Sequence, residues 1–162
     1  MRVAVLDWGI GGFPFAQGLK ARCPQLDIVY LSDSGHRPYG LVERAALAER
    51  VSSILKSADA DLGVLACNAA SAVLAQVVAS HPVEGVIEHG IKLAMTCGDE
   101  ALAVLAGERV VRDGTYSRPL AKAGRTVMNC SGQPLSALVE RGEISGEHLH
   151  ARVSECTATI PQ

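Results

Sequence analysis

Asp61-Leu62-Gly63-Val64-Leu65-Ala66-Cys67-Asn68-Ala69-Ala70-Ser71 passes from a short apolar run into an alanine-rich helical pattern, with a thiol at the junction. The run is bounded by polar residues and is short enough to be a buried strand. Downstream, Val73, Leu74, Val77 and Val78 recur at helical spacing, which predicts a helix over Ala69 to Ala79. A strand that feeds a helix through a functional residue is the unit of a parallel α/β sheet. At such a junction Cys67 meets the positive end of a helix dipole, which favours the thiolate and predicts a lowered thiol pKa.

The same alternation extends in both directions. Strands are predicted at Arg2 to Leu6, Asp27 to Leu31, Leu62 to Ala66 and Gly85 to Ile87. Between them lie helices at Pro14 to Ala21 and Val42 to Lys56, the second with Leu47, Val51, Ile54 and Leu55 on one face. A helix over Ile91 to Cys97 ends at Gly98, a natural C-cap and the expected boundary between two lobes. Beyond it come a strand at Ala101 to Ala106, a helix at Thr115 to Lys122, a strand at Thr126 to Cys130 and a helix at Pro134 to Arg141. Residues 145–152 suit a short last helix. The expected fold is therefore α/β: a parallel sheet with helices on both faces. Residues 1–98 form a flavodoxin-like first lobe, and residues 99–162 form a partial second α/β lobe with few strands.

Composition narrows the functional classes. The 162 residues are 48% hydrophobic but only 4% aromatic, so the core must be aliphatic. A net charge of −2 with scattered basic residues gives no basic face for nucleic acid. No apolar run reaches the roughly 20 residues of a membrane span, and no signal peptide is visible. Five cysteines at irregular spacing argue against a disulfide framework and fit a reducing cytoplasm. With no Cys-x-x-Cys pair and no His-x-x-x-His set, no metal site is expected.

In open parallel sheets ligands bind beyond the carboxyl ends of the strands. Those ends carry Asp7-Trp8-Gly9, Ser32-Asp33-Ser34, Cys67-Asn68, Glu88-His89-Gly90 and Gly107-Glu108. Gly9-Ile10-Gly11-Gly12 fails the dinucleotide spacing, because Pro14 stands at the third glycine position. The turn is read instead as a tight turn that needs positive φ, with a small carboxylate held by its amides as another reading. Arg37 could pair a substrate carboxylate or simply be solvated, and Tyr39 could be a packing lid. Cys23, Cys97 and Cys130 are read as small core fillers.

Taken together, Val5 to Gly12, Asp33 to Gly40, Ala66 to Ser71 and Gly85 to Glu88 resemble the glutamate racemase family, within the aspartate/glutamate racemase superfamily. A weaker match runs through Val110 to Tyr116 and Pro134 to Glu140. The resemblance implies an enzyme that inverts the α-carbon of an acidic amino acid without metal or cofactor, using one thiol on each face. It implies Cys67 as the first-lobe thiol and Asp7 as the acid beside the thiol and the substrate ammonium. It implies a substrate-binding surface made of Trp8, Pro38, Tyr39, Gly40, Asn68 and Ala69. It further implies a cytoplasmic enzyme supplying a D-amino acid for peptidoglycan precursors. An incomplete second lobe that exposes apolar surface would make the chain a homo-oligomer.

The departures from the family pattern are specific. Trp8 replaces a serine, putting an indole at the pocket floor, and Ala69 replaces a threonine. In the second lobe Val110 stands for a threonine and Asp113 for a serine. Two lost hydroxyls beside a carboxylate could cost about 1.5–3 kcal/mol each. The second Gly-Cys-Thr-His motif is missing; Cys156-Thr157 is either its remnant or an ordinary tail. The alternatives to an active enzyme are an impaired homologue acting as a ligand-binding or interaction module, and a fragment of a longer protein.

Overall fold

The computed structural model describes residues 1–98 and 101–160. The chain divides into two compact units, Met1–Glu88 and His89–Gln162. Residues 99 and 100, where the expected second lobe begins, lie outside the described residues, as do Pro161 and Gln162.

In the first unit, strands β1 (Arg2–Asp7), β2 (Asp27–Ser32), β3 (Leu62–Leu65) and β4 (Val83–Gly85) form one all-parallel sheet in the order β2-β1-β3-β4. Register follows from alternation along the strands. Val3 pairs with Ile28 and Leu62, and Leu6 pairs with Leu31 and Leu65. Val3, Val5 and Val64 point to one face, where helix α1 (Phe13–Arg22) covers them with Ala16 and Leu19. Leu6 and Leu65 point to the other face, against Leu47, Ala48, Val51 and Leu55 of helix α2 (Arg44–Ser57). The sheet thus has helices on both faces, as a strand apolar at every position requires. Leu47, Val51 and Leu55 are fully buried, each contributing about 1.5–3 kcal/mol of transfer free energy. Helix α2 is started by Glu43, whose carboxylate accepts the Ala45 and Ala46 amides at 2.8 and 3.2 Å.

The helix expected over Ala69 to Ala79 is corrected to a four-residue helix α3 (Asn68–Ser71), followed by a single tight turn over Leu74–Gln76. The physical reason lies in side chains that compete for its backbone. Arg44 Nη2 donates to the Ala72 carbonyl at 2.6 Å, the group a continued helix would present to Gln76. Ser71 Oγ donates to Leu65 O at 2.8 Å, tying the helix back onto β3. The β-branched Val73, Val77 and Val78 add nothing to resist this. The expected strand at Gly85 to Ile87 also moves: β4 stops at Gly85, and helix α4 (Val86–Met95) starts at once, taking Glu88, His89 and Gly90 out of any loop.

The second unit contains β5 (Ala101–Ala106), α5 (Glu108–Arg112), α6 (Ser117–Lys122), β6 (Thr126–Ser131), α7 (Gln133–Glu140) and α8 (Glu147–Thr157). Strands β5 and β6 pair in parallel from Ala101↔Thr126 to Ala106↔Ser131. Val110, Leu120, Cys130 and Leu138 are its buried apolar side chains, while Leu105 and Ile144 remain exposed. The last helix runs to Thr157, longer than expected, and Thr159 Oγ1 lies 3.6 Å from Cys130 Sγ.

Candidate active site

The strand order places the topological switch between β1 and β3, since the chain leaves β1 toward β2 on one side and returns to β3 on the other. The residues just beyond those two carboxyl ends are Asp7-Trp8 and Ala66-Cys67. Strand alternation sends Asp7 and Ala66 toward the α1 face and Trp8 and Cys67 toward the α2 face.

Asp7 is buried, with one carboxylate oxygen engaged by the loop that follows it and by Tyr30. Its Oδ2 accepts the Gly12 amide at 3.0 Å, the Gly9 amide at 3.3 Å and the Tyr30 hydroxyl at 3.4 Å. The Gly9 carbonyl in turn accepts from Tyr30 at 2.8 Å and Ser32 at 3.0 Å. The amides at Gly9 and Gly12 are therefore spent on this carboxylate. Nor does the glycine turn need positive φ: Gly12 has φ −81°, an ordinary helical value. The expectation of a φ-driven turn is corrected to one of close approach. A Cβ at Gly12 would lie 2.8 Å from Ala66 Cβ and 3.0 Å from Asp7 Cβ.

Cys67 occupies the N-cap position of α3 in extended conformation, partly shielded and packed against the α2-side core. The expected lowering of its pKa is overturned. Burial, the largest influence, and the nearby Asp7 charge push the thiol up to about 11, against the smaller opposing pull of the Ala70, Trp8 and Ala69 amides. A helix of four residues is too short to offset that desolvation. The resting group at neutral pH is the thiol.

The segment opposite carries the remaining expected residues. Trp8 Nε1 donates to the His36 carbonyl at 2.8 Å, and its ring packs on the core with Cys67 and Ala69. Pro38 opens a tight turn, Tyr39–Leu41, that includes Gly40 and packs on α3. The Tyr39 ring is buried in the core, and its hydroxyl donates to Asp33 Oδ2 at 2.8 Å. Burial and the Asp33 carboxylate raise the Tyr39 pKa far above the ordinary phenol range, so it stays a neutral donor. Arg50 grips the same Asp33 through Nε at 3.0 Å and Nη2 at 2.5 Å. Asn68 and Ala69 lie on α3, Asn68 exposed. Tyr30, Arg44 and Arg50 carry no motif, and Ser71, which closes the Ala66 to Ser71 motif, has no role of its own in it; their roles arise only when distant segments meet.

In the second unit Val110 is buried in α5, Asp113 caps its end, and Cys156 lies within α8. Among the described residues, no cluster of His, Cys, Asp and Glu could hold a metal ion.

This arrangement of strands and helices matches the fold of the aspartate/glutamate racemases. Glutamate racemase from Campylobacter jejuni superposes with a TM-score of 0.84 over 99% of this chain at 23% identity. That from Aquifex pyrophilus superposes with 0.80 over 98% of this chain and 66% of its own length at 30% identity. Within that fold the chain is a homologue of the glutamate racemases. The Aquifex aeolicus enzyme is 31% identical over 154 residues, covering 91% of this chain and 61% of the relative. The Limosilactobacillus reuteri enzyme is 30% identical over 149 residues, covering 87% and 56%. The chain thus spans about three fifths of the length of the curated relatives it matches. No family model matches it.

Proposed function

We propose that the chain carries the first-lobe half of a cofactor-independent amino-acid racemase site, with glutamate as substrate and Cys67 as its thiol. The observation that supports this reading is that Asp7 and Cys67 follow the paired strands β1 and β3 that flank the sheet's switch point, with the Asp7 charge disfavouring ionisation of the sulfur. A glutamate racemase of Francisella tularensis with D-glutamate bound and one of Escherichia coli with L-glutamate share this fold. By analogy, an acidic amino acid would enter here.

In this reading the substrate ammonium settles beside Asp7. Its positive charge offsets the carboxylate that disfavours the thiolate, so substrate arrival itself brings the Cys67 pKa down. The thiolate, held by the Trp8, Ala69 and Ala70 amides, then takes the α-proton, and the electron pair passes into the substrate carboxylate as an enediolate. A proton returned from the opposite face completes inversion; returned by Cys67, it restores the starting isomer. The Pro38-Tyr39-Gly40 turn, Asn68 and Ala69 line the substrate, and Trp8 limits its width. The enzyme works in the cytoplasm as a homo-oligomer and supplies peptidoglycan precursors.

The test is α-proton exchange of D- and L-glutamate in deuterated water, with Cys67→Ser as control. Exchange of both isomers, lost in the variant, supports racemisation. Exchange of one isomer supports a working first-lobe thiol without its counterpart. No exchange of either at high protein concentration refutes the reading. Calorimetric binding without exchange would then favour the second reading, a ligand-binding homologue, for which Trp8 and the buried Val110 speak.

A further inference from the structure

We propose that Arg44 and Arg50 of α2 are positioning residues, holding the turn that carries Cys67 from outside the site. The inference takes the proposed function's view of Cys67 as the reacting sulfur, but its test reads that sulfur directly and needs no turnover.

The argument begins with the length of α3. Four residues make a single turn, which does not persist in water without outside support. Yet the amides of Ala69 and Ala70 in that turn face the Cys67 sulfur. The support comes from two directions, and both lead to α2. At the C-terminal end of α3, the Arg44 guanidinium donates to the Ala72 carbonyl at 2.6 Å. A cation there also complements the carbonyl end of the helix.

On the opposite flank the support is indirect. The Tyr39–Leu41 turn packs on α3, and the buried Tyr39 ring shares the core with Cys67 and Ala69. That ring is fixed by its hydroxyl bond to Asp33, and Asp33 is fixed by two bonds from Arg50. The Asp33 side chain is only 10% exposed, so its charge needs this partner. The contact is a two-pronged guanidinium fork on both carboxylate oxygens, which a lysine ammonium cannot reproduce. Neither arginine is in the hydrogen-bond set of the sulfur; each acts through the backbone or through Asp33 and Tyr39.

Because burial is the largest influence on Cys67, loosening either flank should bring its titration down toward an ordinary thiol. The experiment follows the rate of iodoacetamide alkylation against pH in the full chain, mapped peptide by peptide. Cys23, at the end of α1, is the internal reference. In the parent protein the Cys67 profile should turn near pH 11. In Arg50→Ala and Arg44→Ala the midpoint should fall by about one unit, making Cys67 alkylation at pH 8 about tenfold faster with Cys23 unchanged. Arg50→Lys should fall between parent and alanine. An unmoved or raised midpoint in both alanine variants overturns the proposal, as does a parallel rise at Cys67 and Cys23, the mark of general loosening. Should an alanine variant fail to fold, Arg50→Lys decides: a lowered midpoint supports the proposal, an unchanged one overturns it. A shifted midpoint in a protein without isotope exchange removes the racemase reading and leaves this one standing; exchange with no shift does the reverse.

Discussion

Replacing Ser71 by alanine tests how β3, α3 and α4 are joined. The Ser71 hydroxyl is buried; it donates to Leu65 O at 2.8 Å and accepts the Val86 amide at 3.1 Å. Val86 is the first residue of α4, so its N–H is one of those a helix cannot satisfy internally. Ser71 therefore caps α4 from another element. A Cβ at Gly85 would lie 3.1 Å from Ser71 Oγ, so space there is too tight for water to take over. Leaving the Val86 amide unsatisfied costs about 1–3 kcal/mol, and losing the bond to Leu65 about 1 more. The expected loss is about 2–4 kcal/mol, read from urea unfolding followed by circular dichroism as a lower midpoint at unchanged slope. Ser71→Cys, which keeps a weak donor and acceptor, should lose less. A loss under about 0.5 kcal/mol in Ser71→Ala would refute the capping argument, since it would mean the backbone finds other partners at no cost.

Two glycines should respond in opposite directions. Gly12→Ala drives a methyl into Ala66 and Asp7 and should cost about 1–3 kcal/mol in urea unfolding. Gly18→Ala in mid-α1, where nothing lies within 4 Å, should stabilise by about 0.5–1 kcal/mol in the same assay. Two pH effects follow from charge. Arg50 holds the Asp33 carboxyl below the usual carboxylate range, so that contribution is present above about pH 4 and lost as acid protonates Asp33. Acid titration of stability should be flatter in Arg50→Ala. Cys67 titrates in the opposite sense: its raised pKa helps the fold fully below about pH 9, and the benefit disappears as pH climbs through about 11. Between those values the Cys67 contribution should fall by at most about 2 kcal/mol, so the alkaline slope in thermal unfolding should be shallower in Cys67→Ala.

Much of this architecture is legible in the chain because strands that pack on both faces must be apolar throughout. Val3 to Leu6 and Leu62 to Leu65 show that pattern and form the strands expected of them; Ala101 to Ala106, also apolar throughout, forms its strand with alternate residues exposed. What misleads is the neighbourhood of Cys67. Ala69 to Ala79 has helical spacing, but the end of α3 is set by a guanidinium from 28 residues upstream and a hydroxyl turned onto β3. Local periodicity holds no record of either. The thiol's titration departs from the helix-dipole expectation for the same reason. A helix dipole can be inferred from sequence, whereas the depth of burial depends on Tyr39, Trp8 and α2 arriving from elsewhere. Asp7 and Cys67 stand in motifs that bring them to notice in the sequence, whereas Tyr30 and Arg50 have no such signature.

The strand order also has a kinetic consequence. The central strand β1 finds its first neighbour about 25 residues along the chain and its second about 60. Until β3 arrives, the Val3–Leu6 segment has one open side, and the segments that carry Asp7 and Cys67 are not yet side by side. Closing that long loop should dominate the folding barrier, with substitutions in β3 slowing refolding more than those in α1. Chaperone dependence during synthesis should follow the delay before β3 docks, more than the final stability of the sheet.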